Sequence, residues 1–147
     1  MLYLRPHHIL DIVRNIGNGR KLEPHPYGHL VHVITQKIID DSDQECTLVI
    51  RNDDICGPCI HLHNGQCDDI LPQLEERVSK QEYNNKLDKK IIEFINVKEN
   101  TSMKISDYLR IIKANLEDIA EICTHPKEEK ETRRIGLEKG LKILGLE

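Results

Sequence analysis

The stretch Ser106-Asp107-Tyr108-Leu109-Arg110-Ile111-Ile112-Lys113-Ala114-Asn115-Leu116-Glu117-Asp118-Ile119 decides the fold class. Leu109, Ile112, Leu116 and Ile119 recur every three or four residues, the spacing that lines one face of an α-helix. Ser106 is the expected N-cap, because its hydroxyl can accept an orphan backbone N–H. The pattern runs to near Cys123, and Pro126 prevents simple continuation. Beyond it, Ile135, Leu137, Leu141 and Leu144 predict a final helix. Upstream, Asn100-Thr101-Ser102 reads as a turn, and Leu87, Ile91, Phe94 and Ile95 as one helical stripe.

The first third is also helical. Pro6 suits a first helical turn, where its fixed φ helps and its missing N–H is not needed. Ile9, Ile12, Val13 and Ile16 follow at helical spacing, and Asn18-Gly19 ends the run. Pro24 and Pro26 punctuate a loop. Leu30, Val31, Ile34 and Ile38 then form a second apolar face, broken by Asp40-Asp41-Ser42-Asp43. Cys46-Thr47-Leu48-Val49-Ile50 is the one strong strand pattern, and the sequence does not show where its partner lies. The expected fold is a small α+β, mostly α-helical single domain over 1–147. Its parts are a His-containing helical part (1–45), a strand and Cys-rich metal-binding loop (46–70), and a helical part (84–147).

A length of 147 residues fits one domain and needs no staples to fold. The net charge of −4 and the absence of a basic stripe argue against nucleic acid as a partner. Aromatics make up 3%, with no Trp and one Phe (Phe94), too few for a base-stacking platform. The N-terminal residues lack the pattern of a signal peptide, and no apolar run is long enough to span a bilayer. A cytoplasmic protein with no membrane partner is expected. Five cysteines, an odd count, point to metal or thiol chemistry rather than a disulfide framework.

The cysteines carry the main chemical signal. Cys56-Gly57-Pro58-Cys59 is followed by Cys67 after seven residues, and Asn64-Gly65 between them is a strong turn pair. Two thiolates two residues apart can converge on one metal, and a turn can return the third. A fourth ligand must come from elsewhere, and Cys123 is the best sequence candidate. Four thiolates suit zinc or an iron–sulfur cluster, with a [4Fe–4S] cluster favoured. His61, His63 or His125 could replace one of them; the plain alternative for each is an exposed polar loop. Cys46 reads as a buried strand cysteine. Cys-Gly-Pro-Cys also looks like the active-site motif of thioredoxin-like proteins, which keeps a thiol–disulfide oxidoreductase in view. The chain lacks the further strands that fold needs, and Cys67 has no role in a simple dithiol.

Histidines form the second signal. His7, Asp11 and Arg14 share a helix face after Arg5-Pro6, and His8 lies at the edge of the apolar face. On the next helix His29, His32 and Gln36 form a polar stripe that His25 could extend. The plain reading is a solvated face. The functional one is a pocket or second metal site built from His7, His8, Asp11 and His29, with Arg5 available for an anionic ligand. A hydrolase using His7, His8 and Asp11 around a second metal is one extension of that reading. Gly136 and Gly140, four residues apart, could let two helix backbones approach closely. The charge run from Lys127 to Arg134 reads as a solvated helix start.

Arg5-Pro6-His7-His8-Ile9-Leu10, Asp53-Asp54-Ile55-Cys56-Gly57-Pro58-Cys59, Cys67 and Glu121-Ile122-Cys123 together resemble domain-of-unknown-function family number 1284, labelled as probable iron–sulfur-binding proteins. The resemblance covers most of the chain in order and implies a cluster on Cys56, Cys59, Cys67 and Cys123. It implies no catalytic activity. Family members often carry a cysteine where this chain has Asp11, and further cysteines where it has Thr124-His125-Pro126. The sequence therefore predicts a small metal-binding protein with iron–sulfur or zinc as cofactor. It assigns no reaction, substrate or protein partner.

Overall fold

A computed structural model describes residues 2–23, 30–51, 53–56, 62–63, 66–67, 70–71, 78–122 and 130–146. The chain starts with strand β1 (Leu2–Leu4) and helix α1 (Pro6–Gly17). Helix α2 (Val31–Asp40) leads into strand β2 (Glu45–Leu48). Two short antiparallel pairs follow: β3 (Leu62–His63) with β4 (Gln66–Cys67), and β5 (Ile70–Leu71) with β6 (Val78–Ser79). Then come α3 (Lys80–Phe94), β7 (Ser102–Lys104), α4 (Ile105–Ala114), α5 (Leu116–Ile122) and α6 (Lys130–Ile143). The expected α+β, mostly helical architecture is the observed one.

The strand read at residues 46–50 lies at the centre of a three-stranded sheet in the order β1-β2-β7. β1 runs parallel to it, with Leu2 opposite Cys46 and Leu4 opposite Leu48. β7 runs antiparallel, with Cys46 opposite Met103 and Thr47 opposite Ser102. These are the partners the sequence left unplaced. The turn expected at Asn100-Thr101-Ser102 leads into β7: Asn100 takes a φ of 66°, while Ser102 is already in the strand.

Helix α1 begins at Pro6 as expected, and Asn18 caps its C-terminus ahead of Gly19, whose φ is +67°. Ile9, Ile12 and Val13 are buried with Ile34, Ile38, Leu48, Ile91, Leu109 and Leu137 in one core. The helix read across residues 106–122 is two helices. Asn115 breaks it, its backbone N–H reaching only to the Ile112 carbonyl at 3.0 Å while its side-chain amide donates to the Ile111 carbonyl at 2.9 Å. Ser106 is not the N-cap. β7 keeps the chain extended through Lys104, so the helix starts at Ile105 and Ser106 lies in its first turn. Its hydroxyl donates to Asp43 Oδ1 at 2.6 Å, and its backbone N–H to the Ser42 carbonyl at 2.8 Å.

Two other expectations change in detail. Phe94 and Ile135 are exposed, whereas Ile91, Ile95, Leu137 and Leu141 face the core. Arg133 is not part of a solvated helix start: it is buried, and it donates to Asp11 Oδ1 at 3.0 Å. The close approach read at Gly136 and Gly140 is present, because α6 packs there against α1 around Gly17 and Val13. Cys46 is fully buried in β2, and burial pushes its thiol up to about 12. No helix among the described residues is long and apolar enough to cross a membrane.

Candidate metal-binding site

The start of α1 is where the chemistry collects. A helix N-terminus leaves backbone N–H groups without intrahelical partners. Here no side chain of Arg5, the N-cap residue, fills that role. Two carboxylates from distant segments do so. Asp53 Oδ2 accepts the Arg5 N–H at 2.8 Å, and Asp88 Oδ1 accepts the His7 N–H at 2.9 Å. The positive end of the helix dipole favours both charges.

Asp53 is held there by the edge of β1. The Asp54 N–H donates to the Tyr3 carbonyl at 3.0 Å, and the Tyr3 N–H donates to Asp54 Oδ2 at 2.8 Å. Asp53 Oδ1 accepts the Ile55 N–H at 3.1 Å, and its carbonyl accepts the Cys56 N–H at 3.1 Å. These bonds shape the turn that places Cys56. Asp88 comes from α3, in line with buried Ile91 and Ile95.

Each carboxylate also holds a histidine. His7 Nδ1 lies 2.8 Å from Asp88 Oδ1, and His8 Nδ1 lies 2.7 Å from Asp53 Oδ2. An ionised carboxylate only accepts, so in both pairs Nδ1 carries the proton. The two rings are 4.4 Å apart between centroids. Burial opposes ionisation of Asp53, but the charge and hydrogen bond of His8, the Arg5 N–H and the charge of His7 hold its pKa down to about 2. Burial likewise opposes ionisation of Asp88, and His7 and Arg5 outweigh it, so its pKa falls below the ordinary carboxylate value. Burial disfavours the charged form of His8, yet Asp53, Asp11 and Asp88 raise its pKa overall.

These shifts have a consequence at low pH. A carboxylate with a depressed folded-state pKa contributes stability that is present above its unfolded pKa and lost as pH falls through the folded value. The metal-free protein should therefore lose stability between about pH 4 and pH 2, with Asp53 accounting for about 2 kcal/mol. Denaturant midpoints at pH 5 and pH 2.5 check this: Asp53→Asn should show a smaller difference than the wild type.

His8, Asp53 and Cys56 form the one potential ion-binding group of three or more donors among the described residues, with donor atoms all within 4.8 Å of one another. Nitrogen, oxygen and thiolate sulfur together suit zinc and other first-row ions rather than magnesium or calcium. Burial and the neighbouring Asp53 charge push the Cys56 thiol up to about 12. A cation bound there would reverse that balance and let the thiol ionise. The residues present therefore fit a thiophilic metal.

The other sequence candidates divide clearly. His7 is buried against Asp88 rather than solvated, and Asp11 pairs with Arg133 at 3.0 Å and Arg14 at 3.7 Å. Arg5, read as a possible anion binder, is fully buried; its guanidinium donates to Asp88 Oδ2 at 2.8 Å and Asn85 Oδ1 at 2.9 Å. Leu62 pairs with Cys67 and His63 with Gln66 in the short β3–β4 ladder. Cys59, Cys123, His25, His29, His61 and His125 lie outside the described residues, as do Asn64-Gly65. Sequence reasoning gave Asp53 no role beyond its motif and overlooked Asp88. The signal for Asp88 was available: a charged residue three and seven positions before Ile91 and Ile95, on the apolar stripe.

Fold and site define a small, mostly helical α+β domain with two carboxylate–histidine pairs and one cysteine at the start of its first helix. The chain belongs to the family described as Protein of unknown function (DUF1284), whose model matches residues 27–128. The matched span includes Asp53, Cys56, Cys59, Cys67 and Cys123 and begins after α1. No curated protein and no solved structure matches the chain.

Proposed function

We propose that this is a cytoplasmic metal-binding protein in which Cys56, Cys59, Cys67 and a fourth donor hold an iron–sulfur cluster or a zinc ion. Cys123 is the sequence candidate for the fourth donor. The observation that carries the reading is the convergence of Cys56 with His8 and Asp53, donor atoms within 4.8 Å, at the entrance to the cysteine-bearing segment. The β3–β4 pairing supports it by setting the backbone of Cys67 opposite Leu62, so that the chain doubles back within that segment. A thiol–disulfide oxidoreductase fits less well. Its attacking cysteine needs a depressed pKa, whereas the surroundings of Cys56 push the thiol up to about 12.

The test is purification without oxygen, followed by a visible spectrum and analysis for iron, zinc and acid-labile sulfide. Iron with sulfide and broad visible absorption identifies a cluster, whose potential the protein would set through exposure and hydrogen bonds to sulfur. One zinc per chain without colour identifies a structural zinc site. Protein free of metal under every preparation overturns the reading. Cysteine variants sharpen it. Cys67→Ser should lose the metal and, because metal-binding energy is partly folding energy, destabilise the protein strongly. Cys46→Ala should keep its full metal content and lose about 1–2 kcal/mol, from the small cavity left in the core.

A further inference from the structure

We infer that His8, through Nε2, is a protein donor to the metal held by Cys56, and that Asp53 is its positioning residue. The inference rests on the metal reading above and names a ligand that the cysteine pattern does not contain. Three observations carry it. The His8 side chain lies with Cys56 in the one potential ion-binding group among the described residues. Its Nδ1 is tied to Asp53 Oδ2 at 2.7 Å, which fixes the tautomer and leaves the Nε2 lone pair for a metal. Asp53 itself is already engaged: Oδ2 accepts from the Arg5 N–H at 2.8 Å as well as from His8, and Oδ1 accepts from the Ile55 N–H at 3.1 Å. A carboxylate so occupied orients a histidine better than it binds an ion.

The neighbouring pair makes the assignment specific. His7 and Asp88 repeat the same construction at 2.8 Å, yet no cysteine joins them among the described residues. Both pairs hold their rings in place, and among the described residues only His8 does so beside a thiol. Thiolate and imidazole are both ordinary zinc ligands, so His8 and Cys56 can serve one ion. In an iron–sulfur cluster the same imidazole would replace one thiolate, a substitution that raises the reduction potential.

Three variants in the intact chain test this: His8→Gln, Asp53→Asn and His7→Gln. Metal affinity is read by competition with a chelator using zinc, and metal content is read on protein purified without oxygen. His8→Gln should bind zinc at least 100-fold more weakly, and Asp53→Asn about 10- to 100-fold more weakly, as expected for loss of an outer-shell partner. His7→Gln, which removes the equivalent contact with Asp88, should bind like the wild type and so reports any general damage to the fold. A direct readout accompanies these. Zinc should shift the His8 Nε2 resonance in 15N spectra of the histidine rings; for a cluster, a reduced sample with 15N-labelled histidine should show nitrogen coupling in pulsed EPR. Wild-type affinity in His8→Gln, or a histidine signal indifferent to metal, overturns the inference while leaving the thiolate site standing. A wild-type protein that binds neither metal overturns both.

Discussion

Asp88→Ala should cost about 3–5 kcal/mol, the largest loss expected from any single truncation in this protein. Asp88 is fully buried, and so is the Arg5 guanidinium that donates to it at 2.8 Å. The same carboxylate accepts the backbone N–H of His7 at 2.9 Å and lies 2.8 Å from its Nδ1. Removing it leaves a buried cation without a counter-charge and two donors without an acceptor. A domain of this size has about 5–15 kcal/mol of stability in total, so the variant should sit near the edge of folding. Asp88→Asn keeps an acceptor for one of these donors and should lose about half as much. The double variant Arg5→Met, Asp88→Ala removes the stranded charge and should be more stable than Asp88→Ala alone, because replacing both members of a buried pair is far less damaging than breaking it. Urea denaturation of the four proteins checks the order. A loss below about 1 kcal/mol in Asp88→Ala would show that water reaches Arg5.

That ion pair also shows what the sequence could and could not convey. The two residues lie 83 positions apart, and their meeting depends on where α3 crosses the start of α1. Within α3, however, Asp88 stands in register with Ile91 and Ile95, and a charge on an apolar stripe is a readable sign of a buried partner. Helix α1 was legible from both ends, because Pro6, the apolar spacing and Asn18-Gly19 all act locally. β2 was legible for the same reason. Its partners were not: β1 and β7 have three residues each, too few to display an alternating pattern. The break at Asn115 was hidden because Leu116 and Ile119 continue the helical spacing across it. At the candidate site, Cys56 and His8 could each be singled out by residue type. Their convergence could not, since it rests on backbone bonds that fasten Asp53 and Asp54 to β1 and Arg5.

The contact between α1 and α6 leads to the second large effect, in Gly140→Ala. A methyl group at Gly140 would collide with the backbone carbonyl of Val13, with Val13 Cγ1 at 2.8 Å and its carbonyl carbon at 2.9 Å. The obstacle is mostly main chain inside a helix, so it cannot swing aside, and the two helices must separate. Gly17 is equally enclosed from the other side: a methyl there would run into the Gly136 carbonyl and come within 2.7 Å of the Gly140 nitrogen. Separation would loosen the packing of Leu137 and Leu141 in the core and the bond from Arg133 to Asp11 at 3.0 Å. Helix propensity works in the opposite direction, since alanine in a helix interior gains about 1 kcal/mol over glycine. Overpacking of this kind costs about 1–3 kcal/mol, and rigid backbone places Gly140 at the upper end, so the net loss should be about 2 kcal/mol. For a chain of 147 residues that corresponds to a fall in Tm of about 7 °C. Gly136→Ala is the internal control. Its methyl would meet Asn18 Oδ1 at 2.9 Å and Arg14 Cγ at 3.0 Å, both on side chains that can shift. The propensity gain should nearly offset that cost, leaving a Tm within a few degrees of wild type. Equally small losses for the two variants would mean that α1 and α6 lie further apart than their glycines require.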